Sequence, residues 1–276
     1  IVDSLGRVLA VLVPPPSDPR YRASCKSASN RMEEESAKVN FLAKDLTHKR
    51  GDNFAALNIG LSYGNGHTKP TRPKLGRFDG LARALLDDED IQRLAAYQDS
   101  TFALWHPKGY LYYKTNLDKL WEAHPDLDEP LFPRSIMPTV AFNMGRQVAT
   151  KKHVDSQNCP FGWCTVTALG DFDATKGGHI VLWELGVVLE FPAGACVCLP
   201  SAIITHSNIP TAEGETRMSF TQYCSGDIFR YVENRFKTDV DLRREDPAIF
   251  ESRVNARKIR LQQGFDMFYR IPQGRR

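Results

Sequence analysis

No apolar run in this 276-residue chain approaches the roughly 20 residues that a membrane-spanning helix needs. The apolar stretch Val8 to Val13 is too short for a signal-peptide core, and Pro14-Pro15-Pro16 ends it. No membrane partner is therefore expected. Because the chain begins at Ile1 and not Met, it is expected to lack its native N-terminus. Cysteine is sparse, at six residues with no CxxC pair, which excludes a zinc ribbon or finger. Cys196 and Cys198 alternate in an apolar run and read as buried thiols on one face of a strand. That usage suits a reducing intracellular compartment. Internal repeats are absent, and the single low-complexity stretch, Val13 to Pro19, reads as a stiff linker or an extended lead-in strand. With 42% hydrophobic and 25% charged residues, collagen-like, coiled-coil and wholly disordered chains are excluded too.

A large excess of one charge is also lacking, since the net is only +3. The distribution is uneven, however. Residues 20–77 carry 12 Lys/Arg against 5 Asp/Glu, residues 78–229 carry 11 against 19, and residues 230–276 carry 12 against 7. Two basic flanks around an acidic middle suit a polyanionic partner, although solvated helices produce the same statistic.

The pattern reads as a single domain over residues 1–276. A basic, extended region with a Gly-rich loop covers 1–78, support helices 79–133, a β core 134–226 and a basic helical extension 227–276. Met32, Val39, Leu42 and Leu46 recur at helical spacing and predict a helix within 27–47, capped by Ser29 or Asn30. Three helices follow, one on Leu81, Leu85 and Leu86, one on Ile91, Leu94, Ala95 and Phe102, and one from about Pro107 to Pro125. After Pro133 the period changes to that of strands. Eight are predicted: Ile136–Asn143, Val148–His153, Gly162–Leu169, His179–Leu185, Val187–Phe191, Ala195–Leu199, Ile203–Ile209 and Glu215–Tyr223. Eight short antiparallel strands close most naturally as a double-sheet jelly roll, which makes the fold class α+β. In the tail, Phe250, Val254 and Leu261 are expected to pack inward, leaving Arg253, Arg257, Lys258 and Arg260 on a basic face.

His153 and Asp155 are two apart on a predicted strand and so share a face. His206 lies on a later strand. Two imidazoles and one carboxylate are the ligand set of a non-haem Fe(II) site with open positions. His179, after Gly177-Gly178, is the rival third ligand. Arg217 follows eleven residues after His206 and shares its strand face with Ser219. A cation inside a jelly roll requires an anion. A cosubstrate carboxylate suits the planar guanidinium, and an ion pair with Glu184 or Glu190 is the alternative.

Several segments together carry a resemblance. They are Ala141-Phe142-Asn143-Met144-Gly145, His153-Val154-Asp155 with Asn158-Cys159-Pro160-Phe161-Gly162, Thr167 to Asp173, Lys176 to His179, and Gly214 to Tyr223, with Leu61 to Gly66 upstream. In these the chain resembles the 2-oxoglutarate- and Fe(II)-dependent dioxygenases, and within them the fungal branch of the TET/JBP group. The resemblance implies a double-stranded β-helix core, with His153, Asp155 and His206 as iron ligands. It implies Arg217 as the partner of the distal 2-oxoglutarate carboxylate and O2 as the oxidant; Ser219, on the same strand face, is grouped with Arg217, and Asn143 either touches 2-oxoglutarate or pins a strand end. The implied reaction is oxidation of a methylated base in DNA, either 5-methylcytosine or N6-methyladenine, after the base is flipped out or in a single strand. One departure is plain: animal TET enzymes carry a cysteine-rich zinc region that six scattered cysteines do not supply.

For the substrate, Asn158 suits either a base edge or a turn, and Phe161, one of six aromatics read mainly as core, is the one that could stack on a flipped base. Tyr63 and Asn65 fall in the upstream matching segment, and His67, Lys69, Arg72 and Lys74 give its loop the charge for phosphate contact. A nuclear monomer follows from this reading. A protein or small-molecule hydroxylase, or an inactive jelly-roll binding module, are the alternatives.

Overall fold

The computed structural model describes residues 1–64, 66–127 and 130–271. Chain entry is β1 (Val11–Val13), followed by helix α1 (Pro19–Ala37). Asp18 caps α1 by accepting from the Arg20 amide at 2.9 Å, and Pro19 sits where a missing N–H costs nothing. The helix therefore starts well before the predicted Ser29/Asn30 cap. Its buried face, Tyr21, Cys25, Ala28 and Met32, is thin and is masked in sequence by polar neighbours. Instead of continuing to residue 47, the chain turns and forms a small hairpin, β2 (Thr47–His48) and β3 (Gly51–Asp52), then β4 (Ala55–Gly60).

Helices α2 (Asp79–Leu86), α3 (Glu89–Trp105) and α4 (Pro107–Ala123) fall where the sequence pattern places them, although Leu111 of α4 is exposed and not on its apolar face. The β core follows as β5 (Thr139–Met144), β6 (Cys164–Asp171), β7 (Ile180–Leu182), β8 (Val187–Leu189), β9 (Cys196–Leu199), β10 (His206–Asn208) and β11 (Thr216–Tyr223). A six-stranded sheet runs β1-β9-β6-β11-β5-β4, and a three-stranded sheet runs β10-β7-β8. Their named pairings are antiparallel, and the class is α+β with a jelly-roll core.

Alternation along the strands sets what each face does. Val140, Phe142, Met218 and Phe220 point to α1, α2 and α3 and join their core. Ala168, Val197 and Leu199 point the other way, toward Ile180 and Leu182 of the smaller sheet. Arg217 and Ser219 alternate with Met218 and Phe220, so they too face the space between the sheets. Buried Gln98 of α3 fixes the helical layer to the sheet, donating to Thr167 Oγ1 at 2.8 Å and to the Phe220 carbonyl at 3.0 Å. Beyond the core come α5 (Gly226–Glu233), α6 (Asp239–Glu245) and α7 (Pro247–Phe265).

The predicted strand Val148–His153 is not one. Its backbone bonds run to three separate neighbours: Val148 N to Arg217 O, Lys151 N to Arg50 O, and His153 N to His206 O. A segment shared among three partners forms isolated bridges and no ladder. Likewise β7 stops at Leu182, because residues Trp183–Leu185 coil into a turn that Gly186 ends in the left-handed region. Leu261 is exposed and does not pack inward.

Candidate metal centre

His206 opens β10, and His153 is held against it by reciprocal backbone bonds, 3.1 Å in one direction and 2.9 Å in the other. Asp155 is tied next to them through its amide, which donates to the Ser201 carbonyl at 2.9 Å. One ligand atom from each of the three residues lies within 4.8 Å of the others. The side chains also arrive correctly oriented. His153 Nδ1 donates to the Lys151 carbonyl at 2.7 Å, and His206 Nδ1 to the Ile204 carbonyl at 2.9 Å. Each ring therefore leaves Nε2 bare, 3.9 Å from an oxygen of Asp155. A backbone carbonyl behind a metal-ligating imidazole fixes tautomer and direction in this way. Burial, and then the neighbouring His206, hold the His153 imidazole below its ordinary range. A neutral ring is the form a metal takes up. His179 is not in this group. Its ring Nδ1 is buried without a partner elsewhere in the minor sheet's margin.

Arg217 lies between the sheets at 1% exposure. Its Nη1 donates to the Val148 carbonyl at 2.9 Å, Nε has no partner, and the guanidinium stands 5.9 Å from the Phe191 ring. No carboxylate among the described residues pairs with it. Glu184 instead accepts from the Thr205 amide at 2.6 Å and from that residue's hydroxyl. Burial alone pushes Arg217 down to about 10, the signature of a desolvated cation lacking an anion. One strand over, Asn143 donates through Nδ2 to Ser219 Oγ at 2.9 Å, while its Oδ1 is buried and unpartnered. Gly170, opposite Arg217, has φ +115°, and a Cβ there would lie 2.2 Å from the Thr216 carbonyl. Only glycine lets β6 and β11 approach so closely at this point.

The same face of β11 continues from Arg217 and Ser219 to Thr221 and Tyr223, which open into a groove of about 320 Å³. His153 and Asp155 line this groove together with Lys49, Arg50, Gln157 and Asn158. Thr221 and Tyr223 were within reach of sequence reasoning by alternation from Arg217. Lys49 and Arg50 carried no such signal, because the β2–β3 hairpin brings them in from a distant part of the chain. Tyr223 is pushed up to about 12 by burial, and its hydroxyl donates to Asn58 Oδ1 at 3.1 Å.

The remaining candidates divide. Asn158 lines the groove, with Nδ2 donating to Ser201 Oγ at 3.0 Å. Phe161 does not offer a stacking face. It is 4% exposed, packed edge-on against Tyr112 and covered by Gly264, because the loop turns its ring toward α4 and α7. Tyr63 packs against Tyr231 at 4.8 Å. His67 and Lys74 are exposed, and Asn65 lies outside the described residues. Lys69 pairs with Asp126 at 2.8 Å, and Arg72 donates to the Leu127 carbonyl at 2.8 Å. The tail behaves similarly: Arg253 and Arg260 both pair with Glu233, and Arg257 with Asp239.

No family model matches the sequence, and no curated protein matches it. Solved structures do. One is NgTET1 in complex with 5mC DNA, at 12% identity and TM-score 0.56, with 79% of this chain and 72% of that one covered. The chain shares its fold. Weaker likenesses are an oxidoreductase of the 2OG-Fe(II) oxygenase family from Burkholderia pseudomallei and a Pseudomonas putida prolyl-4-hydroxylase. The first has 17% identity and TM-score 0.41, covering 79% and 86% of the two chains. The second has 13% identity and TM-score 0.45, covering 79% and 92%.

Proposed function

We propose that the protein is a 2-oxoglutarate- and Fe(II)-dependent dioxygenase that oxidises a methylated base in DNA, on the pattern of the TET/JBP group. The observation that carries the chemistry is the pairing of two features on adjoining walls of one jelly roll. One is a His153–Asp155–His206 cluster whose two Nε2 atoms converge on a carboxylate. The other is a buried guanidinium with an unsatisfied Nε. The residues fit the groups they would hold. Two neutral imidazoles and one carboxylate make a facial set for Fe(II) that leaves positions open. Arg217, with Ser219 and Asn143 beside it, supplies charge and polar atoms for the far carboxylate of 2-oxoglutarate. When bound, iron and cosubstrate supply the power to oxidise a C–H bond with O2.

The chain's own contribution is positional. The carbonyls of Lys151 and Ile204 keep the imidazoles aimed, and the packed sheets shield Arg217 from water, which strengthens its hold on an anion. Thr221, Tyr223 and Asn158 shape the side from which a substrate methyl arrives. DNA is supported by cationic Lys49 and Arg50, which line the groove together with His153 and Asp155, and by the likeness to a protein solved with 5mC DNA. A base must leave the duplex to reach such a site. We favour 5-methylcytosine, whose oxidation gives stable products, over N6-methyladenine, whose oxidised form falls apart to adenine and formaldehyde. A nuclear setting accompanies this reading.

The test supplies purified protein with Fe(II), 2-oxoglutarate and DNA carrying one or the other methylated base, and reads nucleosides by mass spectrometry. Hydroxymethylcytosine or recovered adenine, matched by succinate, is the expected result. Succinate with untouched DNA turns the reading to a protein or small-molecule hydroxylase, and no succinate at all to a binding module.

A further inference from the structure

A second cavity, of about 410 Å³, adjoins the metal groove. Lys49 and Arg50 line both, so they stand between the two. The second cavity extends along β4, the edge strand of the large sheet, and is bounded by Lys44, Asn58, Phe41 and Phe78. Several of the basic residues elsewhere are already paired. Lys69, Arg77, Arg253, Arg257 and Arg260 each meet a carboxylate of their own chain. Among the described residues, neither Lys44 nor Lys49 has a carboxylate partner, and Arg50 donates only to the amide oxygen of Asn58, at 3.4 Å. The single acid on this wall, Asp45, is already taken by Arg77. Phe41 and Phe78 also line the cavity, stacked on each other at 5.6 Å with planes 22° apart, and the Arg77 guanidinium lies over the Phe78 ring at 4.7 Å.

Cations without a carboxylate partner and aromatic rings lining one cavity are what a single polynucleotide strand requires. Phosphates take the charge, and bases lie on the rings whatever their sequence. We infer that the trough formed by Lys44, Lys49, Arg50, Phe41 and Phe78 holds the DNA strand that flanks the reacting base, with Lys49 and Arg50 on the phosphates next to the metal groove. This rests on the proposed DNA function and gives it a location distinct from the Gly-rich loop. An extended peptide laid along the β4 edge is the competing occupant. It finds backbone partners there but leaves the three cations without anions.

The experiment measures anisotropy of a fluorescein-labelled single-stranded DNA of about twelve nucleotides. It carries one 5-methylcytosine and is titrated at several salt concentrations with protein holding Fe(II) and 2-oxoglutarate without oxygen. The combined Lys44→Ala, Lys49→Ala and Arg50→Ala variant is expected to weaken binding at least tenfold. It should also flatten the log–log salt slope by about two units, at roughly 0.7 per phosphate contact on a single strand. The Lys69→Ala, Arg72→Ala and Lys74→Ala variant should lose less than threefold. Lys49→Glu, a charge reversal at an exposed side chain, guards against a misfolded triple variant and should weaken binding more than Lys49→Ala. If the wild type binds with a steep salt slope and the trough variants match it, this inference is overturned while the DNA reading stands. If the wild type ignores DNA at low salt yet consumes 2-oxoglutarate, the DNA reading fails and takes the trough with it.

Discussion

Each imidazole of the cluster is committed at Nδ1 to a carbonyl two residues earlier in its own chain, so neither is free to turn its ring without breaking a bond. His206→Ala or Asp155→Ala should therefore abolish turnover and stoichiometric metal uptake while the fold persists, since Asp155 lines a groove and neither residue belongs to the hydrophobic core. Retained metal in His206→Ala together with lost metal in His179→Ala would move the third ligand. Arg217→Ala should raise the 2-oxoglutarate requirement on the order of a hundredfold, the worth of a few kcal/mol in a secluded charged contact. Metal uptake should not change, which distinguishes loss of an anion contact from general collapse. An unaltered 2-oxoglutarate dependence would give the role to another cation. His106 is a different case. Fully enclosed beside Phe268, it is held down to about 4 by burial, against an ordinary 6.5. The folded protein thus keeps it neutral where the unfolded chain protonates it. Stability should be complete above pH 6.5 and decline by about 3 kcal/mol as pH falls toward 4, with no further loss from this group below that. Urea denaturation across this range reads the slope, and a flat profile sinks the assignment.

At the scale of elements, what was legible depended on how local its cause was. Helices α2 to α4 were readable because apolar residues recur at helical spacing within each segment. The candidate cluster showed in sequence as two residues two apart, His153 and Asp155, with His206 on a later strand, although the strand that was to align the first two is absent. The segment 148–153 misled because its partners, Arg50 and Arg217, are far away in sequence. Strand β4 gave no signal: Ala-Ala-Leu-Asn-Ile-Gly has a weak polar alternation, yet it completes the sheet beside β5. The trough beside the metal groove was hidden for the same reason, since only the folded hairpin brings Lys49 and Arg50 to His153. Gln98 shows how such distant parts are fastened. Its side chain meets Thr165, Thr167, Gln222 and the Phe220 carbonyl, joining α3 to β6 and to β11, the strand that carries Arg217. Gln98→Leu leaves several buried polar atoms without partners and should cost about 2–3 kcal/mol. It should also raise the 2-oxoglutarate requirement less than Arg217→Ala does. A neutral effect on denaturation would mean that water replaces the amide.

Across the whole molecule, charge that looks like a polyanion surface in sequence is divided by the fold into two kinds. Some cations are fasteners. Glu233 of α5 receives Arg253 and Arg260 of α7 together with the Tyr112 hydroxyl, and Asp239 of α6 receives Arg257 at 2.8 Å. These contacts hold the C-terminal helix to the domain, so the basic tail is largely spent on its own chain. Combined Arg253→Ala and Arg260→Ala leaves Glu233, whose side chain is only 17% exposed, with no cation. Charge-assisted bonds of this kind are worth about 1–3 kcal/mol, so the variant should unfold at distinctly lower urea. Its affinity for DNA should keep the wild-type salt slope, because arginines that release no counterions on binding contribute nothing to it. The trough variants should show the reverse, a flattened slope with stability intact, since among the described residues neither Lys44 nor Lys49 has a carboxylate partner to lose. Parallel denaturation and salt titrations of both sets decide it. A tail variant with unchanged stability and a slope flattened by nearly two units would mean that these arginines leave their carboxylates for phosphate when DNA arrives.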